Sequence, residues 1–372
     1  MTPDPLVLDM GRQFGAERLA PGAAAREKAG RIEPGIIAEL GELGILGATT
    51  PAEWGGSELD PVTYALLLEE IAAGDGAVST LVSVHNSPTC VVLDTFGTDA
   101  QKDRWLRPLA SGAHVGSFGL TEPQAGSDAS NLRTRAVRRG DRWIVNGAKQ
   151  FISNATLPGS IVFFAVTDPG AGKKGISCFV ADKATPGFKV LRVEEKLGQK
   201  ASDTCALAFE DMELAPDQLV GREGEGYKIA LSTLESGRIG IAAQSVGMAR
   251  AALDFAIAYA RDRTAFGQPI IAHQAVAFRL VDAKTRLEAA RQMTLHAARL
   301  KAAGEPALEA ACMAKLFASE AAEAVCSAAI QTLGGYGFLA DYPVERIYRD
   351  VRVCQIYEGT SDVQKLILQR ML

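Results

Sequence analysis

The pattern of apolar and polar positions divides the chain into three regions. In the first, up to about residue 115, the run 64–71 is apolar with acids on one side, which predicts a helix. Residues 99–106 predict a second helix that ends before Pro108, because the residue before a proline disfavours the helical conformation. Residues 78–93 are nearly uncharged, so we expect a buried helix pair or the wall of a pocket.

The second region, from about 116 to 225, has the pattern of β-structure. Residues 142–149 hold a short apolar strand followed by Asn-Gly, a dipeptide that predicts a turn. Three further segments are rich in β-branched and aromatic residues, namely 160–166, 175–180 and 188–193. Short strands separated by glycine and proline predict a β-barrel or a β-sandwich.

From about residue 226 to the end the pattern is helical again. One buried stripe at helical spacing is formed by Val276, Leu280, Ala283, Leu287 and Ala290. Residues 304–306 separate this helix from the next, residues 334–337 interrupt a third, and 361–372 form the last. Long helices with short links predict an antiparallel bundle. The predicted domains are therefore 1–115, all α; 116–225, β; and 226–372, an α-bundle.

Composition excludes several classes of function. The chain of 372 residues is 47% hydrophobic and has a formal net charge of −5, with no long basic run, so we expect no nucleic-acid partner. No apolar stretch approaches the length of a membrane span, and residues 1–8 do not resemble a signal segment. Six cysteines without CxxC spacing predict reduced packing thiols in a cytoplasmic protein. Four histidines without ligand spacing make a metal site improbable.

The most informative segment is 356–364, Ile-Tyr-Glu-Gly-Thr-Ser-Asp-Val-Gln. Here Glu358 precedes a glycine, and a carboxylate beside Gly359 can approach a ligand closely because glycine adds no side chain. The alternative is an ordinary helix N-terminus, with Thr360 or Ser361 as the cap and Asp362 at the positive end of the helix dipole.

Five separated segments together resemble the acyl-CoA dehydrogenase family, and the resemblance covers essentially the whole chain. They are 120–128, 146–154, 236–242, 261–267 with 273–274, and 331–337 with 356–364. The resemblance implies an α+β multidomain fold: an N-terminal helical bundle, a central β-barrel or sandwich domain and a C-terminal four-helix bundle. It implies an FAD-dependent oxidoreductase of fatty acid β-oxidation that converts an acyl-CoA to its trans-2-enoyl-CoA and passes electrons to electron-transfer flavoprotein.

By this resemblance Glu358 is the base that takes the α-proton, and Gly359 lies against the substrate. Some relatives carry the base at the position of Gly237 instead, which has no side chain here and so favours Glu358. Glu235 and Arg238 would contact substrate. A salt bridge on the helix surface is the alternative for Glu235.

The resemblance also assigns the flavin site. Phe118, Leu120, Thr121, Gly126 and Ser127 would contact the flavin, and Ser127 also the substrate, unless this loop is an ordinary turn opening the β-domain. Phe151 and Ser153 stand where many relatives have Trp and Thr; alternatively, Phe151 is a core residue of a strand. Thr360, Ser361 and Asp362 would complete the flavin contacts, with Asp362 a departure from the Gln or Glu of many relatives.

A second set of residues resembles positions that hold the adenine and pyrophosphate of FAD from a neighbouring subunit. The set is Arg263, Phe266, Gln274, Gln331, Gly334 and Gly335. Arginine suits a diphosphate because its planar fork donates paired hydrogen bonds. A site shared between subunits implies a homo-oligomer, in the family a tetramer built as a dimer of dimers.

The substrate is less sharply defined by the sequence. Segments 78–87 and 236–242 look most similar to the short-chain, butyryl-type branch. Glutaryl-type relatives carry an arginine where this chain has Ser79, so an apolar acyl tail is expected. A short branched acyl-CoA, an oxygen-using acyl-CoA oxidase and a non-enzymatic scaffold are the alternatives.

Overall fold

The computed structural model describes residues 3–372, in which helices come first, a β-sheet follows, and long helices end the chain. The α-helices before the sheet are α1 Pro5–Gln13, α2 Ala23–Ala29, α3 Pro34–Glu42, α4 Pro61–Gly74, α5 Gly76–Val84, α6 Val91–Phe96, α7 Asp99–Gln101 and α8 Arg107–Ala110. Short π-helical segments lie between some of them, at Phe14–Leu19, His85–Cys90 and Lys102–Leu106. Single 3₁₀ turns occur at Ala20–Gly22 and Ala52–Trp54.

Helix α4 is the predicted helix of residues 64–71, extended in both directions. It begins at Pro61, whose missing N–H costs nothing in a first turn, and the Asp60 carboxylate accepts from the N–H groups of Val62 and Thr63. Nearly all of its residues are buried because it packs between the N-terminal helices and the long helix of the C-terminal region. That position explains a run too apolar for a surface helix.

The uncharged segment 78–93 forms the predicted buried helix pair. Asp75 caps α5 by accepting from the N–H groups of Ala77 and Val78. The chain then kinks at Ser87, where φ is −137°, because a helical conformation before Pro88 is disfavoured. Helix α6 continues after the kink.

The prediction that a helix stops before Pro108 is wrong. Helical structure runs from Asp99 through a wide turn at Lys102–Leu106 into α8, which ends at Ala110. Pro108 lies in the first turn of α8. A proline is tolerated there because an N–H in the first turn of a helix has no partner within that helix.

The sheet has eight strands in the order β6-β7-β3-β2-β4-β5-β8, with β1 parallel to β4. The strands are β1 Ser117–Gly119, β2 Arg135–Arg139, β3 Arg142–Ser153, β4 Ser160–Val166, β5 Ile176–Asp182, β6 Phe188–Val193, β7 Thr204–Leu214 and β8 Leu219–Val220. Strand β4 is buried on both faces. Phe163 faces a core within the β-region, whereas Phe164 faces a core shared with Trp105 and Ile229 of the helical regions. Burial on both faces explains its continuous apolar run.

The predicted Asn-Gly turn after residue 145 is wrong as well, because β3 runs on through it to Ser153. Asn146 pairs with Asp211 on β7 through two hydrogen bonds of 2.9 Å, and the register of the two strands shifts between Val145 and Gly147. A Cβ on Gly147 would lie 2.5 Å from the Thr134 hydroxyl, so glycine is needed here for close approach within a bulge.

The C-terminal region is built on three long helices: α9 Gly226–Asp262, α10 Gln274–Ala302 and α11 Leu308–Leu333. A short hairpin, β9 Thr264–Ala265 and β10 Gln268–Pro269, joins α9 to α10, and α12 Pro343–Val351 and α13 Ser361–Gln369 follow α11. The stripe on α10 is buried at Leu280, Ala283, Leu287 and Ala290, while Val276 is partly exposed. The last helix ends three residues before the predicted Leu372.

The predicted domain limits at 115/116 and 225/226 stay predictions, although regular secondary structure changes type near both. By length and composition alone, α9 could also be taken for a membrane span, the one such helix among residues 3–372. Of its apolar window, 67% is buried in the protein, where α9 packs against α4, α10 and α11.

Candidate active site

Glu358 lies in a short loop between the turn Arg352–Gln355 and helix α13. Its φ is 54° and that of Gly359 is 87°, so two successive residues are left-handed. This conformation is uncommon for a residue with a side chain. Thr360 caps α13 by accepting from the N–H of Val363 at 3.2 Å, so the predicted helix N-terminus and the predicted carboxylate loop occur together.

The carboxylate of Glu358 faces helix α9 at Gly237. A Cβ on Gly237 would lie 2.7 Å from Oε2 and 3.1 Å from Oε1 of Glu358, so only glycine leaves room for the carboxylate. Atom Oε2 is buried and has no hydrogen-bond partner among the described residues. Burial raises the pKa of Glu358 to about 7, although the charges of Arg238 and Lys315 act to lower it. Such a group can take up a proton near neutral pH.

Two residues that the sequence analysis missed hold this loop. Lys315 of α11 is fully buried and donates to the carbonyl oxygen of Gly359 at 2.7 Å. Gln364 of α13, also fully buried, donates to the carbonyl oxygens of Glu358 at 3.2 Å and Gly359 at 2.9 Å. The sequence did carry a signal: Lys315 lies in helical phase with the buried Ala311 and Ala318, where a lysine is unexpected.

Of the two predicted substrate contacts on α9, one faces the carboxylate. Arg238 is only 4% exposed, and its Nε has no partner among the described residues. Glu235 instead forms an ion pair with Lys301 of α10 at 3.0 Å, as the alternative interpretation anticipated. Its contact with substrate remains a prediction.

A buried ion pair fastens together the two segments predicted to contact the flavin. Lys149 of β3 donates to Glu122 at 2.8 Å and to the carbonyl oxygen of Leu120 at 3.2 Å, and both charged side chains are almost fully buried. The N–H of Gln150 donates to the carbonyl oxygen of Thr121 at 2.9 Å. Neither Glu122 nor Lys149 was predicted as a site residue, although both lie within the motifs quoted.

The predicted flavin residues of the β-region differ in exposure. Phe118 packs edge-on against Phe164, with ring centroids 5.2 Å apart, and Gly126 and Ser127 are exposed. Phe151 is 63% exposed at a β3 bulge with φ of 61°, so the alternative that it is a core residue is wrong. Its ring is free to cover a ligand. Ser153, at the end of β3, is partly buried.

The second predicted set lies at the other end of the long helices. Arg263 follows α9, and Gly334 and Gly335 follow α11; with Tyr336, they line a groove of about 380 Å³. The Arg263 guanidinium lies 5.6 Å from the Tyr336 ring centroid, and a Cβ on either glycine would meet no atom within 4 Å. Phe266 is 96% exposed, and Gln274 and Gln331 are also exposed. The groove is therefore open to a ligand or to another chain.

Arg263, at the end of α9, lies far from the loop of Glu358, which faces α9 at Gly237. Gly237 and the end of α9 are about 38 Å apart along the helix axis, at 1.5 Å per residue. A single FAD held by both sets would therefore require two copies of the chain. The resemblance implies this sharing, and it remains a prediction.

The family models for the three domains of acyl-CoA dehydrogenases match the chain one after another, almost from end to end. The N-terminal domain matches residues 5–113, the middle domain 117–212 and the C-terminal domain 224–372. The chain belongs to the acyl-CoA dehydrogenase family. This confirms the predicted family and the predicted order of helical, β and helical regions.

Individual relatives in this family are similar over the whole chain. The mitochondrial short-chain specific acyl-CoA dehydrogenase of Bos taurus is 44% identical, covering 96% of this chain and 87% of the relative. The solved butyryl-CoA dehydrogenase of Megasphaera elsdenii is 39% identical, with a TM-score of 0.97 and coverage of 100% and 99%. A chain from a structure described as an electron transferring flavoprotein of Acidaminococcus fermentans is 44% identical, with a TM-score of 0.96 and coverage of 98% and 96%.

Proposed function

We propose that this acyl-CoA dehydrogenase oxidises a short, apolar acyl-CoA to its trans-2-enoyl-CoA, with Glu358 as the base. The observation that carries the proposal is the partly buried Glu358 carboxylate, which lies against Gly237 and whose Oε2 is buried without a hydrogen-bond partner among the described residues. A carboxylate without a partner is costly to bury, so its retention is expected where it serves chemistry.

The chemistry asks three things of the chain. Glu358 takes the α-proton, the thioester carbonyl is polarised by hydrogen-bond donors, and water is excluded while the α-carbon carries negative charge. FAD, when bound, would accept the β-hydrogen with its electron pair. The α C–H electron pair then forms the Cα–Cβ double bond, and the proton remains on Glu358.

The residues present fit the cofactor. Ser361 Oγ is buried without a partner among the described residues, beside the loop of Glu358, and Phe151 presents an uncovered ring. In the open groove Arg263 supplies a cation, and the backbone around Gly334 is accessible as a diphosphate requires. The remaining holders proposed for FAD are Phe118, Leu120, Thr121, Gly126, Ser127, Ser153, Phe266, Gln274, Gln331, Gly335, Thr360 and Asp362.

Close packing of α5 against α9 supports a short acyl group. A Cβ on Gly240, one turn from Gly237, would already lie 3.2 Å from the Ser83 hydroxyl. Further along α9, Gln244 donates to Ser79 at 2.7 Å and to Thr80 at 3.2 Å. Position 79 is therefore a buried, neutral serine bonded to Gln244, and it offers no positive charge to a carboxylate at the far end of an acyl chain. The similarity to short-chain and butyryl-CoA dehydrogenases agrees with this preference.

Partners follow from the same assignment. We propose that electrons leave to an electron-transferring flavoprotein, which the similarity to the Acidaminococcus fermentans chain supports. A homo-oligomer, in the family's form a tetramer, would bring the Arg263 groove of one chain to the flavin of another. The exposed Phe266 ring is suited to burial in such an interface.

The decisive experiment is anaerobic bleaching of the bound flavin by a panel of acyl-CoA thioesters. We expect butyryl-CoA to bleach the wild type fastest, and Glu358→Gln to retain FAD and bind the thioester without bleaching. Bleaching of that variant at near wild-type rate would place the base elsewhere. Faster bleaching by isobutyryl-CoA would identify a branched substrate, and rapid reoxidation of the product complex in air would identify an oxidase.

A further inference from the structure

The backbone of the base is fastened from two sides by side chains that belong to different helices. Lys315 comes from the second turn of α11, and Gln364 comes from the start of α13. Both are fully buried, and both donate to the carbonyl oxygen of Gly359, at 2.7 Å and 2.9 Å. Gln364 also reaches the carbonyl oxygen of Glu358 at 3.2 Å.

The segment that they hold does not favour its conformation by itself. A non-glycine residue in the left-handed region costs on the order of 1 kcal/mol or more, and Glu358 is such a residue at φ of 54°. Gly359 is also left-handed, and the carbonyl oxygens of both residues accept hydrogen bonds from the side chains of Lys315 or Gln364. The carboxylate direction therefore depends on contacts made outside the loop.

We propose that Lys315 and Gln364 act as a two-point clamp on the carbonyl groups of Glu358 and Gly359, which positions the base against Gly237, and that Lys315 also brings a positive charge into the site. Both are positioning residues, since neither touches the carboxylate through a hydrogen bond. The proposal deepens the proposed function and rests on it for the role of Glu358.

The two residues differ in charge, so variants of each can separate the effect of positioning the base from the effect of a nearby positive charge. Lys315 brings a cation into the site, whereas Gln364 is neutral. The other charged or ionisable groups that act on the pair are Arg238 of α9, Cys312 of α11 and Cys354 of the turn before the loop. Burial and Arg238 lower the pKa of Lys315, and it stands at about 8, so the side chain is charged at neutral pH and below.

Variants of similar volume test the clamp. Lys315→Met removes the donor and the charge, Gln364→Met removes only the donors, and Lys365→Met removes an exposed lysine next to Gln364. Lys365 pairs loosely with Glu320 at 3.8 Å, and within residues 3–372 its side chain makes no hydrogen bond to the loop. Lys315→Leu, which also lacks both the donor and the charge, gives the same comparison if Lys315→Met does not yield folded holoenzyme.

Two measurements are needed on each holoenzyme. The first is kcat and KM with butyryl-CoA. The second is the protonation midpoint of Glu358 in the resting protein, from the carboxylic-acid infrared band that disappears in Glu358→Gln. The second measurement uses no substrate, so it is independent of turnover. It can therefore contradict the clamp even when the bleaching experiment supports Glu358 as the base, and the reverse is also true.

We expect Lys315→Met to lower kcat about 10- to 100-fold with little change in KM, as small misplacements of a reacting group do, and to move the midpoint upward. Gln364→Met should lower kcat without moving the midpoint, and Lys365→Met should change neither. An unchanged midpoint in Lys315→Met overturns the proposal, whether or not kcat falls. Unchanged kcat in Gln364→Met overturns it as well.

Discussion

The carboxylate of Glu358 occupies the space that a side chain at position 237 would fill. A Cβ on Gly237 would lie 2.7 Å from Glu358 Oε2 and 2.9 Å from its Cδ, closer than real Cβ contacts. Helix α9 and the loop before α13 therefore fit together in this arrangement only when the helix has no side chain at position 237.

Gly237→Ala should accordingly displace the base while the helix is kept. Alanine is favoured over glycine within helices, so we expect little loss of folding stability but a fall in kcat of about 10- to 100-fold. Steady-state kinetics with butyryl-CoA, together with FAD content, would measure this. Gly35→Ala on α3 is the control, because its Cβ would meet no atom within 4 Å and lies on a helix without a predicted site residue. Equal losses of kcat in the two variants would contradict the displacement.

The rate of α-proton removal should rise with pH through the pKa of Glu358. Burial raises that pKa to about 7, and only the ionised carboxylate can act as a base. We expect the pH profile of kcat/KM for the free enzyme to rise to a plateau with a midpoint near 7. A midpoint near the ordinary value of 4.5 would mean that the carboxylate is solvated in the free enzyme.

The same shift links stability to pH. A carboxylate whose pKa is raised by folding binds its proton more tightly in the folded state, so its contribution to the free energy of unfolding falls as pH rises from about 4.5 to about 7. Glu358→Gln removes this dependence. Chemical denaturation of the apoproteins should show the variant gaining stability relative to wild type across that window and then levelling off. A constant difference would contradict the raised pKa.

Breaking the Glu122–Lys149 pair should loosen the two segments that we propose contact the flavin. Removing one partner of a buried ion pair typically costs about 3–5 kcal/mol, because the other charge stays buried. Lys149→Met should therefore lower the free energy of unfolding and weaken retention of FAD, measured by denaturation and by flavin absorbance after gel filtration. Lys189→Met is the control, since Lys189 pairs with Glu210 on the exposed side of the sheet. Full FAD retention by Lys149→Met would separate the pair from the cofactor site.

Changing Phe266 should affect assembly and cofactor together. The ring is 96% exposed beside the Arg263 groove, so we expect Phe266→Ser to leave the folded chain intact but shift it toward smaller species that lose FAD. Analytical ultracentrifugation at the flavin absorbance would follow both. Leu6→Ser, at an apolar position that is 78% exposed on α1, is the control. An FAD-loaded monomer of Phe266→Ser would contradict a site shared between subunits.

The sequence by itself determined the order of helical, β and helical regions and the family. Apolar periodicity reports burial directly, as in β4 and on α10, and independent motifs support one another. Local rules failed where tertiary contacts supplied an alternative: Asn146 pairs with Asp211 across a bulge instead of turning the chain, and Pro108 falls within a new helical register.

Only the tertiary structure decided how the base is held. The nonapeptide identified Glu358 and contains Gln364, but the contact of Glu358 with Gly237 and its support by Lys315 come from segments far apart in the chain. A pKa depends on which charges and apolar groups surround a carboxylate, and the fold sets that arrangement. The phase of α11 indicates that Lys315 is buried, but only the fold shows that its side chain donates to the loop of Glu358.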